Sequence, residues 1–209
     1  MTIGILGSGA VGVGLARGFL SEGHEVFIAT REPDGEKGKK LKNDLNGAKV
    51  TDFASAAKSG ELIVLCVNSS GLEEAVKAAG AENLSGKVVI DTTNSIKQED
   101  SMMVYDAEDR SKAEKVQDWL GGSKVVKAFN TVGAAMMYKP DFDGQVPTMF
   151  IAGDDSEAKT QVGAIVKTFG WESLDSGRLI ASRSLEPMGL VWINHAMASG
   201  SPHHAFKML

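Results

Sequence analysis

Met1-Thr2-Ile3-Gly4-Ile5-Leu6-Gly7-Ser8-Gly9-Ala10-Val11-Gly12 opens the chain and decides how the rest is read. Thr2 to Leu6 forms a buried-strand pattern in which Ile3, Ile5 and Leu6 supply the apolar bulk. A glycine turn follows at once, and then a helix-compatible stretch with Val11, Leu15 and Phe19 on one face. Strand, GxGxxG, helix is the order that dinucleotide binding requires. Gly7 permits the tight turn, Gly9 lets the backbone approach a pyrophosphate, and Gly12 lets the helix pack closely on the strand. Free N–H groups and the partial positive charge at the helix start favour the phosphates. A glycine-rich turn without a ligand is the plain alternative. The expected cofactor contacts are Gly7, Ser8, Gly9, Ala10, Val11 and Gly12.

Outward from this block, apolar runs and helical patterns alternate. Strands are expected near 25–29, 48–50, 62–67, 87–90, 124–129, 148–152 and 171–174, with helices near 11–21, 36–43, 53–58, 72–79, 111–120 and 156–169. The run Leu62 to Val67 is continuously apolar, as a central parallel strand is. This alternation predicts an α/β fold, a Rossmann-type doubly wound, mostly parallel sheet. Residues 1–177 are expected to form a dinucleotide-binding Rossmann-like domain. Residues 178–209 carry no strand signal and are expected to be a helical segment.

The chain has 209 residues, 43% hydrophobic and 23% charged, which is enough for one large domain or a domain with a small appendage. A net charge of −5 gives no support to a nucleic-acid partner. No apolar stretch approaches the length of a membrane span, and Met1-Thr2 runs straight into a strand without a basic leader, so a cytoplasmic location is expected. The lone Cys66 lies inside the central apolar run, where a buried core thiol is the expected role.

Ligands of doubly wound sheets bind beyond the carboxyl ends of the strands. Small polar residues gather there at five strand ends: the glycine loop, Thr30-Arg31, Asn68-Ser69-Ser70, Asp91-Thr92-Thr93-Asn94 and Asn130-Thr131. Any one group could be turn chemistry alone; together they predict a lined cleft. Cofactor contacts are therefore expected from Thr30, Arg31, Asn68, Ser69, Asp91, Thr92, Thr93, Asn94 and Asn130. Sites that prefer NAD place an acid after the second strand. Ala29-Thr30-Arg31 offers a hydroxyl and a guanidinium instead, which suit a 2′-phosphate and predict NADP, although Glu32 could neutralise Arg31.

The blocks GILGSGAVGVGLARGFLSEGHEV, ATR, KAFNT around Asn130 and the closing HAFKML are similar to the NADPH-dependent coenzyme F420 reductase family, over nearly the whole chain. The first block is shared with pyrroline-5-carboxylate reductases and other dehydrogenases; Phe129-Asn130-Thr131 and the short C-terminal part discriminate better. The resemblance implies a nicotinamide lying across the strand ends, a deazaflavin or flavin ring stacked on it for direct hydride transfer, and a homodimer, with 1–177 as the NADP-binding domain and 178–209 completing the acceptor pocket or the dimer interface. It implies coenzyme F420, or FAD or FMN, as acceptor. The archaeal members carry His at the position of Asn130, while Asn in this setting also resembles the oxidoreductase domain of the STEAP metalloreductases.

Hydride transfer between planar rings needs little side-chain acid–base chemistry. The chain shows no HExxH, CxxC or GxSxG, and no Lys–Asp or Tyr–Lys dyad stands out at a strand end. Asn130 is the expected catalytic residue, hydrogen-bonding a ring edge; closing the turn after its strand is its equal alternative. Phe206 and Leu209 are expected to cover the acceptor, and the loop 141–146 to wall its pocket. His195, His203 and His204 lack carboxylate or thiol partners, so no metal is expected. Two rival functions remain open: a non-enzymatic NADP-binding redox sensor, and an imine or hydroxyacid reductase. The latter usually has a long helical second domain, for which few residues remain after Gly177.

Overall fold

A computed structural model describes residues 1–100, 102–106 and 109–209. The first half runs β1 (Thr2–Leu6), α1 (Ala10–Ser21), β2 (Glu25–Ala29), α2 (Glu36–Asp44), β3 (Lys49–Thr51), α3 (Phe53–Ser59), β4 (Leu62–Leu65), α4 (Leu72–Ala79), the one-turn α5 (Ala81–Leu84) and β5 (Val88–Asp91). Then come β6 (Ile96–Glu99), β7 (Met102–Tyr105), α6 (Lys112–Trp119), β8 (Lys124–Lys127), β9 (Thr148–Gly153), α7 (Ser156–Thr168), β10 (Glu172–Asp175) and α8 (Ser182–Ser199).

Eight strands form one sheet in the order β10-β9-β8-β5-β4-β1-β2-β3. All neighbours are parallel except β8 and β9, which pair antiparallel through Val126 and Gly153. From β1 the chain steps outward through β2 and β3, then returns to place β4 on the other side of β1. The order therefore reverses between β1 and β4, and a crevice opens at the carboxyl ends of these two strands.

Alternate residues of the buried strands feed two core layers. Ile3, Ile5, Leu62 and Val64 meet Leu15 and Phe19 of α1 on one face. Leu6, Ile63, Leu65 and Val89 meet Ala56, Ala57, Leu72 and Val76 on the other. The sheet thus carries helices on both faces, and the doubly wound reading holds.

Two local expectations need correction, and one element had no expectation attached to it. The segment after β5 holds an antiparallel hairpin, β6–β7, outside the main sheet. Its first strand, Ile96-Lys97-Gln98-Glu99, is mostly exposed and charged, so it has no apolar run to announce it. The C-terminal segment is helical only to Ser199. Gly200 adopts φ +68 as the left-handed cap, and Pro202 follows it. The tail beyond runs along β9, where the Thr148 N–H donates to the Phe206 carbonyl at 2.9 Å. Finally, Phe206 packs on Phe150 beside Leu185, and Leu209 is exposed. Among the described residues no helix is long and apolar enough to cross a membrane.

Candidate functional site

The turn between β1 and α1 is built from what its glycines lack. Gly7 sits at φ +129, and a Cβ there would overlap the Cys66 carbonyl oxygen; one on Gly12 would overlap the Gly7 carbonyl oxygen. Both positions are closed by backbone. Gly9 is the opposite case, because a Cβ there would meet no heavy atom within 4 Å. Gly9 is also the N-cap of α1, with no side-chain cap and no acidic residue in the first turn. The helix therefore presents its first N–H groups and its positive end to open space.

That space is one trough made of two adjoining cavities. The larger, about 970 Å³, is lined by Gly9, Ala10 and Val11 and extends to Trp192 on α8. The smaller, about 600 Å³, is lined by Gly7, Ser8, Thr30, Arg31 and Lys37. They share Gly9, Cys66, Val67, Asn68 and Ser70 at the β1/β4 crevice.

Of the residues singled out in the sequence, Gly7, Ser8, Thr30 and Arg31 border the smaller cavity, and Gly9 and Asn68 border both. Ala10, Val11, Ser69, Thr92, Thr93, Asn94 and Asn130 border the larger. Gly12 borders neither and serves the helix–strand contact. Asp91 also stands apart: it is fully buried, its Oδ1 accepts from the Thr93 N–H at 3.0 Å, and its Oδ2 faces Lys127 at 2.6 Å. The expectation that Asp91 touches the cofactor is corrected on this geometry, since its carboxylate points into the sheet interior.

The two ends of the trough differ in chemistry. At the smaller cavity the exposed Arg31 and Lys37 side chains have no hydrogen-bond or ion-pair partner among the described residues, and Glu32 does not pair with Arg31. At the larger, two buried polar atoms lack any partner among the described residues, the Thr93 hydroxyl and Asn130 Oδ1. Unpaired buried polar groups are costly and call for an explanation. Asn130 is held by its other atoms: Nδ2 donates to Asn94 Oδ1 at 2.9 Å and to the Leu185 carbonyl at 2.7 Å. The Asn94 amide in turn donates to the Asn130 carbonyl at 3.0 Å. Asn130 thus ties the end of β8 to α8. The preceding Phe129 adopts φ +57, an uncommon conformation for a bulky residue, held by its packing against Phe169.

Sequence reasoning missed the charged centre behind this wall. The register pairs Asp91 of β5 with Lys127 of β8. The Lys127 ammonium also meets Glu186 of α8 at 2.8 Å and the Thr93 carbonyl at 2.5 Å. A Lys–Asp dyad does therefore occupy adjacent strand ends. Its signal was a charged residue closing each of two apolar runs, Val-Val-Ile-Asp91 and Val-Val-Lys127. Burial works against the ammonium, but the Asp91 and Glu186 carboxylates outweigh it and hold the Lys127 pKa above its ordinary value.

The remaining expected parts fall elsewhere. The apolar cover of the larger cavity comes from Trp192, Ile193 and Met137 rather than from Phe206 and Leu209. The loop 141–146 does not border that cavity; its Asp141 carbonyl meets His203 Nε2 at 2.9 Å, and Phe142 packs on the same ring. His204 stacks on Trp192 at 4.6 Å, and the Trp192 indole N–H donates to the His204 carbonyl at 2.8 Å. Among the described residues no group of three or more His, Cys, Asp or Glu is placed to hold a metal. Burial pushes the Cys66 thiol up to about 12, which suits a packing role and not a nucleophile.

Comparison with known proteins places this geometry. The model of the family described as NADP oxidoreductase coenzyme F420-dependent matches residues 2–95. The F420-dependent NADP reductase of Methanocaldococcus jannaschii is 31% identical over 201 residues, covering 89% of this chain and 88% of that protein. Metalloreductase STEAP3 of Rattus norvegicus is 30% identical over 188 residues, 90% of this chain, but the chain spans only 36% of STEAP3's length. A crystal structure of a putative F420-dependent NADP-reductase from Arthrobacter sp. FB24 superposes with a TM-score of 0.93 at 30% identity, covering 100% of this chain and 99% of the other. A reductive aminase from Aspergillus terreus, at 20% identity and a TM-score of 0.66, shares the fold alone. On the strength of the full-length likeness to the archaeal reductase, the chain belongs to the coenzyme F420-dependent NADP oxidoreductase family and is an NADP-dependent oxidoreductase.

Proposed function

We propose that the trough holds NADPH along its length and that the enzyme passes a hydride between it and the deazaflavin ring of coenzyme F420. One observation carries the reading: the two cavities join across Gly9 and Asn68, with cations at one end and buried polar atoms at the other that have no partner among the described residues. The residues fit a dinucleotide. The empty space over Gly9 is a cradle that a side chain would fill.

In this reading Ser8, Gly9, Ala10 and Val11 hold the pyrophosphate with backbone N–H groups, and Gly7 and Gly12 shape the turn. Thr30 and Arg31, with Lys37, take the 2′-phosphate. Asn68 and Ser69 line the passage between the ends. Thr92, Thr93, Asn94 and Asn130 form the wall for the nicotinamide. The Thr92 hydroxyl serves the scaffold, donating to the Leu65 carbonyl at 3.1 Å. When bound, the nicotinamide supplies two-electron hydride chemistry that no side chain here provides. Trp192 and Ile193 give an apolar cover that excludes water and suits a flat ring. Asn130 is the residue we assign to orienting the reacting rings.

Residues 178–209 are read as the segment that completes this acceptor pocket on the 1–177 domain. Val191 and Met197, exposed on α8, suit a homodimer contact, which light scattering of the purified protein tests. The reading includes a cytoplasmic location, checked by cell fractionation. FAD and FMN are the alternative acceptors. Anaerobic NADPH oxidation against coenzyme F420, FAD and FMN tests the assignment. The highest kcat/KM is expected with coenzyme F420, and absence of turnover with all three would overturn it.

A further inference from the structure

Asp91, Lys127 and Glu186 are all fully shielded from solvent, immediately behind Thr93 in the wall of the larger cavity. Their hydrogen bonds fix their charges. The three N–H bonds of the Lys127 ammonium meet three acceptors: Asp91 at 2.6 Å, Glu186 at 2.8 Å and the Thr93 carbonyl at 2.5 Å. Asp91 accepts only from donors, Lys127 and the Thr93 N–H. Glu186 does the same. Its Oε1 faces Lys127 and the Ala113 N–H at 3.2 Å, and its Oε2 accepts from the Ser95 and Lys112 N–H groups, each at 3.1 Å. Among the described residues neither carboxylate has an acceptor opposite it that a carboxyl proton could serve. One ammonium therefore stands against two carboxylates, and the centre carries one excess negative charge.

Among the described residues, the other charged side chains bordering the cavity are Lys97, Asp106 and Lys112. Lys97 is paired with Glu99 at 2.8 Å, and Asp106 and Lys112 are of opposite sign. The buried excess remains, in a medium where charge acts over longer range than in water. A nicotinamide ring is a cation when oxidised and neutral when reduced, so a nearby negative charge binds its two states unequally.

We propose that the Asp91–Lys127–Glu186 centre tunes the bound cofactor couple, favouring the oxidised ring and so making the bound reduced cofactor a stronger donor. This rests on the nicotinamide lying in the larger cavity. The step it biases is balanced. One C–H bond of the reduced ring breaks, and its hydrogen leaves with both electrons to form a bond on a planar two-electron acceptor. The acceptor takes one proton from solvent, and the nicotinamide is left with one positive charge. Glu186 and Asp91 do not touch the reacting atoms. They act through their charge, while Asp91 at the Thr93 N–H and Lys127 at the Thr93 carbonyl also fix the position of that residue.

Titration calorimetry with NADP+ and with NADPH, on the wild type, Asp91→Asn and Glu186→Gln, tests the proposal. Each variant removes one negative charge at nearly constant shape. The ratio of the NADP+ to the NADPH dissociation constant is expected to rise about fivefold or more in both variants, the order expected of one unit charge at an effective dielectric constant of about 20. A purely structural role weakens both ligands together, leaves the ratio unchanged and overturns the proposal. Misfolded protein lowers the stoichiometry of both titrations alike and leaves the ratio readable. If Glu186→Gln yields no folded protein, because three backbone N–H groups depend on that carboxylate, Asp91→Asn decides alone. Failure of the wild type to bind either nucleotide would instead overturn the cofactor reading on which this rests.

Discussion

The glycines of the first loop separate folding from binding at the level of single atoms. Gly12 is closed in by the Gly7 carbonyl, whereas Gly9 faces nothing. Gly12→Ala is therefore expected to lower stability by about 1–3 kcal/mol through overpacking, visible as a reduced denaturation midpoint. Gly9→Val should leave stability within about 0.5 kcal/mol of wild type, as an exposed substitution does, while abolishing NADPH binding in calorimetry. Retained binding would mean the dinucleotide lies elsewhere. Arg31, whose guanidinium has no partner among the described residues, gives the complementary test. Arg31→Ala is expected to weaken NADPH by about 1.5–3 kcal/mol, the worth of a charged hydrogen bond, with NADH affinity nearly unchanged. Equal losses for both nucleotides would count against a 2′-phosphate contact. At this scale the sequence was legible where a residue's role is backbone geometry or an exposed charge. It was not legible at Asp91, because a carboxylate at a strand end can face either the cleft or the sheet. Only the register opposite Lys127 decides between them.

Elements were legible where they bury an apolar face and obscure where neighbouring chain holds them. The β6–β7 hairpin is secured from outside. Asn194 of α8 accepts from the Met103 N–H at 3.3 Å and donates to its carbonyl at 2.9 Å, a pairing 91 residues apart that no local pattern reveals. The junction of α6 with α8 shows the same dependence. Ser111 and Glu114 form a capping box that starts α6, a signal present in the sequence. Arg183 of α8 then grips the same glutamate at 2.8 and 2.9 Å. The Arg183 guanidinium, with the Ser111 bonds opposing the cost of burial, brings the Glu114 pKa from 4.5 to about 2. A carboxyl held low in the folded state contributes stability that is fully present above its unfolded value and lost as the pH falls. Stability should therefore decline between pH 4.5 and about 2. Arg183→Ala should flatten that part of the profile when denaturation midpoints are measured across it. A variant with the wild-type acid slope would show that this pair does not govern it.

For the molecule as a whole, the sheet order does most of the positioning. Reversal of direction between β1 and β4 places the glycine loop and the Asn68 turn side by side, and the strands on either flank carry the two ends of the trough. The alternation of apolar runs was enough to foresee a doubly wound, mostly parallel sheet, because parallel strands linked by right-handed crossovers leave few orders open, but not where the order reverses. The last third of the chain followed no such rule. The antiparallel β9 and the tail beyond Gly200 are set by contacts remote in sequence, and with them the cover of the acceptor cavity passes to Trp192. Trp192 is itself held by the tail, through the His204 ring stacked on it and the His204 carbonyl that accepts its indole N–H. Removing residues 203–209 should thus free the Trp192 ring and open the larger cavity while leaving the glycine loop, Thr30 and Arg31 untouched. The expected result is a raised KM for the acceptor with an NADPH dissociation constant close to wild type. The His204→Ala variant should show a milder form of the same change, because the carbonyl contact survives it. Should the truncated protein lose NADPH affinity as strongly as acceptor affinity, or use the acceptor as the wild type does, Trp192 does not close the acceptor site.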